Sequence, residues 1–297
     1  MKERTKRARS DEPLFDAVVN AVSILLVLIV SYPLVYVVSA SFSNPLSVVQ
    51  GDVWLLPVHP NLDSYRYIIT DGRIWNGYKN TVLYTVVGTA VNLVLTVLAS
   101  YPLSRRDLPG RNIFMFLMVF TMYFSGGIIP SYLLIRSLGL LNTFWVMILP
   151  TAITTYNLIV MRTYFSVSIP TELLESGFID GAGNFRLLVS LVLPLSGPIV
   201  AVIGLFYAVA HWNAFFNALI YLRDTQLYPL QLVLRDILLQ SMVEDVGTDS
   251  LGLREQVLIS EGIKYAVIIL SSLPVIVAYP YVQKYFVKGI MIGAIKG

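Results

Sequence analysis

The residues with most to say about chemistry are Glu175-Ser176-Gly177-Phe178-Ile179-Asp180-Gly181, a charged, glycine-marked segment between two long apolar runs. Nine residues further on stands Leu191-Val192-Leu193-Pro194. Pro170 suits the first turn of a helix, where its missing N–H has no partner to lose. Thr171, Glu172 and Glu175 place a hydroxyl and negative charge where a helix N-terminus favours them. Leu174 and Phe178, four apart, form an apolar stripe. Asp180-Gly181 supplies a turn, and Asn184 is positioned to cap the next helix. The pattern predicts a short helix, a sharp turn and a re-entry helix bent at Pro194 and Pro198. That is a small rigid knob joined to two apolar helices. Acids and a glycine alone fit an ordinary interhelical loop equally well; the full spacing is what goes beyond it.

A second set of polar groups lies inside apolar sequence: Tyr156 and Asn157, then Tyr207, His211, Trp212, Asn213 and Asn217. Spacing puts Tyr207 with His211, and Asn213 with Asn217, on two different helix faces. One set could face a translocation route and the other a partner helix, so these seven are the candidate substrate pathway. Interhelical packing explains such residues too, and Pro150 with the nearby Thr151, Thr154 and Thr155 reads as a kink whose freed carbonyl is satisfied by hydroxyls.

Other chemistry is excluded. Cysteine is absent and only His59 and His211 occur, which argues against metal centres and rules out thiol nucleophiles. No phosphate-binding G-x-x-x-x-G-K-[ST] is present, and Gly181-Ala182-Gly183 lacks a third glycine. No catalytic set emerges, so the chain is expected not to be an enzyme. A net charge of +3 is too small to argue for nucleic acid.

The elements carrying these groups are built for lipid. Of 297 residues 56% are hydrophobic and 13% charged, about half the charge of a soluble domain. A span needs about 20 apolar residues, and six runs qualify, near 15–42, 78–103, 112–135, 143–163, 190–222 and 263–287. The first, uncharged from Ala17 to Gly51, is longer than a signal-peptide core and reads as an uncleaved span. With the N-terminus inside, 13 of the 21 Lys and Arg residues fall on the cytoplasmic side. They include Lys2, Arg4, Lys6, Arg7, Arg9, Arg105, Arg106, Arg111, Lys284, Lys288 and Lys296, so both termini are expected in the cytoplasm. The outer segments are expected near 44–79 and 223–262, and the cytoplasmic segment near 163–190. Trp54, Trp75, Tyr65 and Tyr67 read as interfacial anchors. Asn80, Thr81, Asn92 and Thr96 are expected to bond to neighbouring helices. Span three is expected to break at Ser125-Gly126-Gly127 and Pro130. Leu230–Gln240 reads as a short docking element before an acidic turn at Glu244–Ser250. The class is all-α and polytopic, one transmembrane domain over 1–297.

The spacing around Glu175, Gly181 and Leu193-Pro194 resembles the signature of ATP-binding-cassette importer permeases. Ile179-Asp180-Gly181-Ala182, Leu193-Pro194-Leu195-Ser196 and Ala210-His211-Trp212-Asn213 are similar to the carbohydrate-uptake branch. Trp54–Asn80 and Tyr228-Pro229-Leu230-Gln231-Leu232 look closer to the subgroup handling complex or acidic oligosaccharides. The family's usual Ala-Ala is Ser176-Gly177 here, and its usual Ile is Leu191.

The resemblance implies the importer type I permease fold in a bacterial cytoplasmic membrane. It implies a second homologous permease, two ATPase subunits carrying ATP and Mg, an external solute-binding protein, surrounding lipid, and no cofactor on this chain. The ATPase-coupling surface would comprise Glu172, Leu174, Glu175, Ser176, Gly177, Phe178, Asp180 and Gly181, with Leu193 and Pro194. Glu175 would pair with a basic residue of the ATPase, while Leu174, Phe178 and Gly181 seat the knob in its cleft. The C-terminal Gly289, Gly293 and Gly297 would reach into the ATPase dimer. Alternatives are a permease of the same machinery for a non-sugar solute, or a secondary transporter or channel. Against the last, acids and bases are nearly missing from the span interiors, where ion coupling wants them.

Overall fold

Lipid is the solvent that arranges this chain. A computed structural model describes residues 13–244, 262–277 and 279–280, and every regular element among them is helical. α1 (Pro13–Ser41) is apolar on all sides, and none of its most hydrophobic stretch is buried within the chain. A helix of that kind is a membrane span. α2 (Pro45–Val49) and α3 (Asp63–Thr70) follow, then the long α4 (Gly72–Ser104). α5 (Arg111–Tyr123), α6 (Ile128–Ser137), α7 (Thr155–Ser168) and α8 (Thr171–Ile179) come next. α9 (Asn184–Leu187), α10 (Leu193–Leu195), α11 (Gly197–Trp212), α12 (Phe216–Tyr221), α13 (Leu230–Glu244) and α14 (Gly262–Val277) complete the order.

Two compact units emerge, one drawn from Met1–Thr70 and Ile237–Leu270, the other from Asp71–Asp236 and Ser271–Gly297. In the first, the segment after α1 folds back onto the end of that helix. Ser39 Oγ donates to Leu55 O (2.6 Å) and Val58 N–H donates to Ser43 Oγ (3.0 Å). Trp54, Tyr67 and, in the second unit, Trp75 are exposed, as interfacial anchors must be. Tyr65 is not: its ring stacks on Phe42 and its hydroxyl donates to Ser41 Oγ (2.8 Å). Burial pushes the Tyr65 phenol up from its ordinary value.

The second unit centres on α4, whose buried face carries a stripe of small and polar residues among bulkier ones such as Ile74, Val97 and Tyr101. Gly77, Asn80, Thr81, Tyr84, Gly88, Asn92, Thr96 and Ser100 line it at three- and four-residue steps. Val82, Leu83, Val86, Val94 and Leu98 point outward. In lipid no hydrophobic gain comes from hiding a leucine, so close backbone approach and hydrogen bonds hold helices together. The polar partners are made as the sequence suggests. Asn80 Nδ2 donates to Gln226 O (2.7 Å), and Thr81 Oγ1 accepts from Leu230 N–H (2.8 Å). Thr96 Oγ1 meets Tyr207 Oη at 2.7 Å. Each such bond contributes roughly 0.6 kcal/mol in a membrane protein, so the stripe acts collectively.

Several boundaries differ from expectation. α4 starts at Gly72, inside the segment expected as a loop to 79, because Asp71 accepts from Arg73 N–H (2.9 Å) and caps it. The Arg73 side chain beside it holds the Asp71 carboxyl below its usual range. Two of the six expected runs are single long helices, and three are bent pairs. α5 and α6 meet at 117°, at the Ser125-Gly126-Gly127 break. The turns at Phe144–Thr151 meet α7 at 54°, beside Pro150.

Run five bends in the region where Pro194 and Pro198 predict it: Asn184–Leu195 meets α11 at 86°. Pro194 lacks an N–H and crowds the carbonyl four residues back. The backbone answers by widening into a π turn over Leu188–Val192, with Leu193 N–H reaching Leu188 O. α11 then stops at Trp212. Asn213 Nδ2 donates to Val209 O (2.9 Å), so its side chain occupies a carbonyl of the last turn. Asn213 and Asn217 thus do not share a helix face.

α14 covers part of the sixth run; the rest, with the basic termini, residues 245–250 of the acidic turn and the C-terminal glycines, lies outside the described residues.

Gly88 is among the tightest helix contacts, since a Cβ there would run into the His211 imidazole. Gly88→Ala is expected to cost about 1–3 kcal/mol through overpacking, read as a lower unfolding temperature of the detergent-solubilised chain. Gly72, with open space around its Cβ position, is the control and should tolerate alanine.

Candidate functional site: the α8 elbow and the buried polar cluster

α8 begins after Pro170, which stands one position earlier than expected, at the N-cap. Its far end is closed by a Schellman turn. Ala182 N–H donates to Gly177 O (2.9 Å) and Gly181 N–H to Phe178 O (3.0 Å), with Gly181 at φ +77°. This is the left-handed position that glycine fills without a Cβ penalty, which gives Gly181 a structural reason. Asn184 does not cap the following helix: Gly183 holds the N-cap place, and Asn184 is the first helical residue.

Three residues at helical spacing fasten α8 to its own chain. Leu174 is half-buried against the cluster that contains Phe165, Ile169 and Leu188. Gly177 lies so near Leu187 that a Cβ would meet that side chain. The Phe178 ring sits under the Arg105 guanidinium, 4.9 Å from centroid to Cζ. Arg105 is fixed in turn by Asp107, through Nε–Oδ1 and Nη2–Oδ2 bonds of 2.9 Å each. Hydrogen bonding from Arg105 lowers the Asp107 carboxyl pKa. This pairing is therefore present above the ordinary aspartate range and is lost as pH falls through the lowered value. The pair lies at the surface and is worth at most about 1 kcal/mol.

The opposite face of α8 is free. Glu172, Glu175, Ser176 and Asp180 are all exposed. The sequence reading missed two apolar residues that stand out with them, Ile179 at 86% exposure and Phe185 at 70%. Their signal was present, as bulky apolar residues in an otherwise polar segment. Leu174 and Gly177, expected to meet a partner, instead face the chain that carries them. Leu193 is half-buried in the same cluster, and Pro194 is exposed at the second bend.

The pathway candidates divide. Asn157, Tyr207, His211 and Trp212 are buried. Tyr207 Oη accepts from Thr154 N–H (3.1 Å) as well as meeting Thr96. His211 Nε2 lies 3.2 Å from Asn92 Nδ2, and Trp212 Nε1–H donates to Ser271 O (3.2 Å). These contacts tie α4, α7 and α11 together, which is the packing role. Tyr156 and Asn213 are exposed and Asn217 is half-buried, so these three present polar surface outside that cluster.

No family model matches the chain. Relatives along its length are clear. It is 43% identical to the polygalacturonan/rhamnogalacturonan transport system permease protein YtcP of Bacillus subtilis (strain 168), covering 96% of this chain and 99% of that one. It is 40% identical to the protein LplC of the same organism, over 96% of this chain and 93% of the other. Among solved structures it is similar to a chain of a bacterial ABC transporter involved in the import of the acidic polysaccharide alginate. That match has a TM-score of 0.84 at 35% identity, covering 95% of this chain and all of the other.

The elbow yields a paired expectation. Gly181→Ala should cost about 1–2 kcal/mol for the left-handed backbone and speed amide exchange over residues 176–184. Gly177→Ala gains up to about 1 kcal/mol of helix propensity but displaces Leu187, so it should leave exchange in α8 nearly unchanged. Equal behaviour of the two variants would show that the turn is not what closes the helix.

Proposed function

We propose a specific task for this chain, which belongs to the carbohydrate permeases of ATP-binding-cassette importers: it forms one half of a pore that admits an acidic oligosaccharide. The observation that carries the reading is full-length likeness to a permease named for polygalacturonan and rhamnogalacturonan, joined to a structural likeness to an alginate importer. Both named cargoes contain uronic acids, so a carboxylated sugar is the chemistry they share.

In this reading six spans cross the membrane, and both termini and the α8 elbow lie in the cytoplasm. The chain pairs with a homologous permease. Two ATPase subunits supply ATP and Mg chemistry that this chain does not, and an external binding protein delivers the sugar. The exposed face of α8 (Glu172, Glu175, Ser176 and Ile179), with Asp180 at its end, seats in the ATPase. Leu174, Gly177 and Phe178 transmit the movement inward to α4, α7 and α11. ATP-driven closure of the ATPase pair then tilts these helices and exchanges inward for outward access. Tyr156, Asn213 and Asn217 are the residues of this chain that would touch the passing sugar.

Glu175 is the most direct test. In the assembled transporter its carboxylate is buried against a basic group, and breaking such a pair costs about 3–5 kcal/mol. Glu175→Ala should release the ATPase on purification or leave hydrolysis running without uptake. Normal uptake with the ATPase still bound would refute the role. For the cargo, uptake of labelled oligogalacturonate should be competed by other uronate oligomers and not by neutral maltooligosaccharides. The reverse order would remove the acidic assignment and leave the permease reading standing.

A further inference from the structure

We propose that the arginine-walled cleft beside α8 holds the phosphate of an anionic phospholipid from the cytoplasmic leaflet. The cleft, about 500 Å³, opens between the α4–α5 turn, α7 and α8. Arg105, Arg106, Arg111 and Arg162 line it, against Asp107 and Glu175. Asp107 is already engaged by Arg105. Three guanidinium groups therefore share a cavity with one carboxylate. Among the described residues, none of Arg106, Arg111 and Arg162 lies within ion-pair distance of an acid, and neither does Glu175 lie within that distance of a base.

Two of these cations are held in place by backbone. Arg162 Nε–H donates to Leu103 O (3.1 Å), leaving both Nη groups to the cleft, and Arg111 Nη1 reaches toward Arg105 O (3.5 Å). Like charges gathered in this way repel each other, and a shared anion relieves the repulsion. The planar guanidinium fork matches phosphate in particular.

What favours a lipid over a free anion is a second cleft of about 380 Å³ that shares Arg105 and Asp107 with the first. Its walls are mostly apolar, with Leu98, Pro102, Leu108, Phe185 and Leu188 beside Tyr101 and Asn184. A phosphate site continuous with an apolar groove, at the ends of two membrane helices, has the chemistry of an amphiphile. Basic pockets between spans on the cytoplasmic side take anionic headgroups. The proposal rests on the cytoplasmic placement of this end of α4 given above.

The test uses the full purified chain in nanodiscs containing phosphatidylcholine alone or mixed with phosphatidylglycerol. Retained lipid is counted by native mass spectrometry, and thermal protection is measured with added phosphatidylglycerol, phosphatidylcholine or inorganic phosphate. The chain should retain phosphatidylglycerol in preference to phosphatidylcholine. Arg106→Gln and Arg111→Gln should each lower that preference roughly fivefold, with Arg106→Lys keeping part of it. Arg106 is exposed, so its variant reports even if Arg111→Gln fails to fold. Equal retention of the two lipids, unchanged preference in the Arg106 variant, or equal protection by inorganic phosphate would overturn the proposal. No readout depends on transport; normal uptake by Glu175→Ala with lipid preference intact would count against the coupling reading alone.

Discussion

Everything the elbow can transmit depends on how firmly α8 is held by its own chain. A helix of nine residues is not stable alone. It persists here because Leu174 enters the core, Gly177 lets the backbone come close to Leu187, and Phe178 lies under Arg105. Cation–π contacts at exposed sites are worth about 0.5–1 kcal/mol, so burial of Leu174 and the close Gly177 approach must supply much of the attachment. The consequence is a division of labour on one short helix. Its inner face is committed inward, and its outer face of acids, Ser176 and Ile179 is committed to nothing within the chain.

The same logic explains the pore-side helices. α4 faces its neighbours with glycines, threonines and asparagines, and each buried polar group that finds a partner limits sliding between helices. Tyr207, His211 and Trp212 belong to that network. Leu174 packs against the cluster containing Val97, Tyr101, Ile203 and Tyr207. α11 and α7 each follow a bend, at Ser196-Gly197 and beside Pro150.

Class, membrane character and the position of the elbow were legible in the sequence, because long uncharged runs and a polar island leave few alternatives. The break after Tyr123 was legible too, since two adjacent glycines and a nearby proline stop a helix. What escaped was decided by three-dimensional competition. α11 ends at Trp212, where Asn213 bonds Val209 O through both its backbone N–H and its amide side chain, which no periodicity reveals. The early start of α4 comes from Asp71 acting as a cap within sequence that otherwise reads as a loop. The orientation of Leu174 could not be read from a four-residue stripe, because a stripe has the same spacing whether it faces a partner or the parent chain. Ser176-Gly177 at the usual Ala-Ala position now has a local cause: the second place must remain small beside Leu187.

The central claim is that a cytosolic motor grips the outer face of α8. The chain contains no cysteine, so Ile179→Cys introduces its sole thiol at a position 86% exposed. A membrane-impermeant thiol reagent should label it in inside-out vesicles and not in right-side-out cells, and bound ATPase should block the labelling. Labelling from the outer side, or labelling that the ATPase leaves unchanged, would contradict the account.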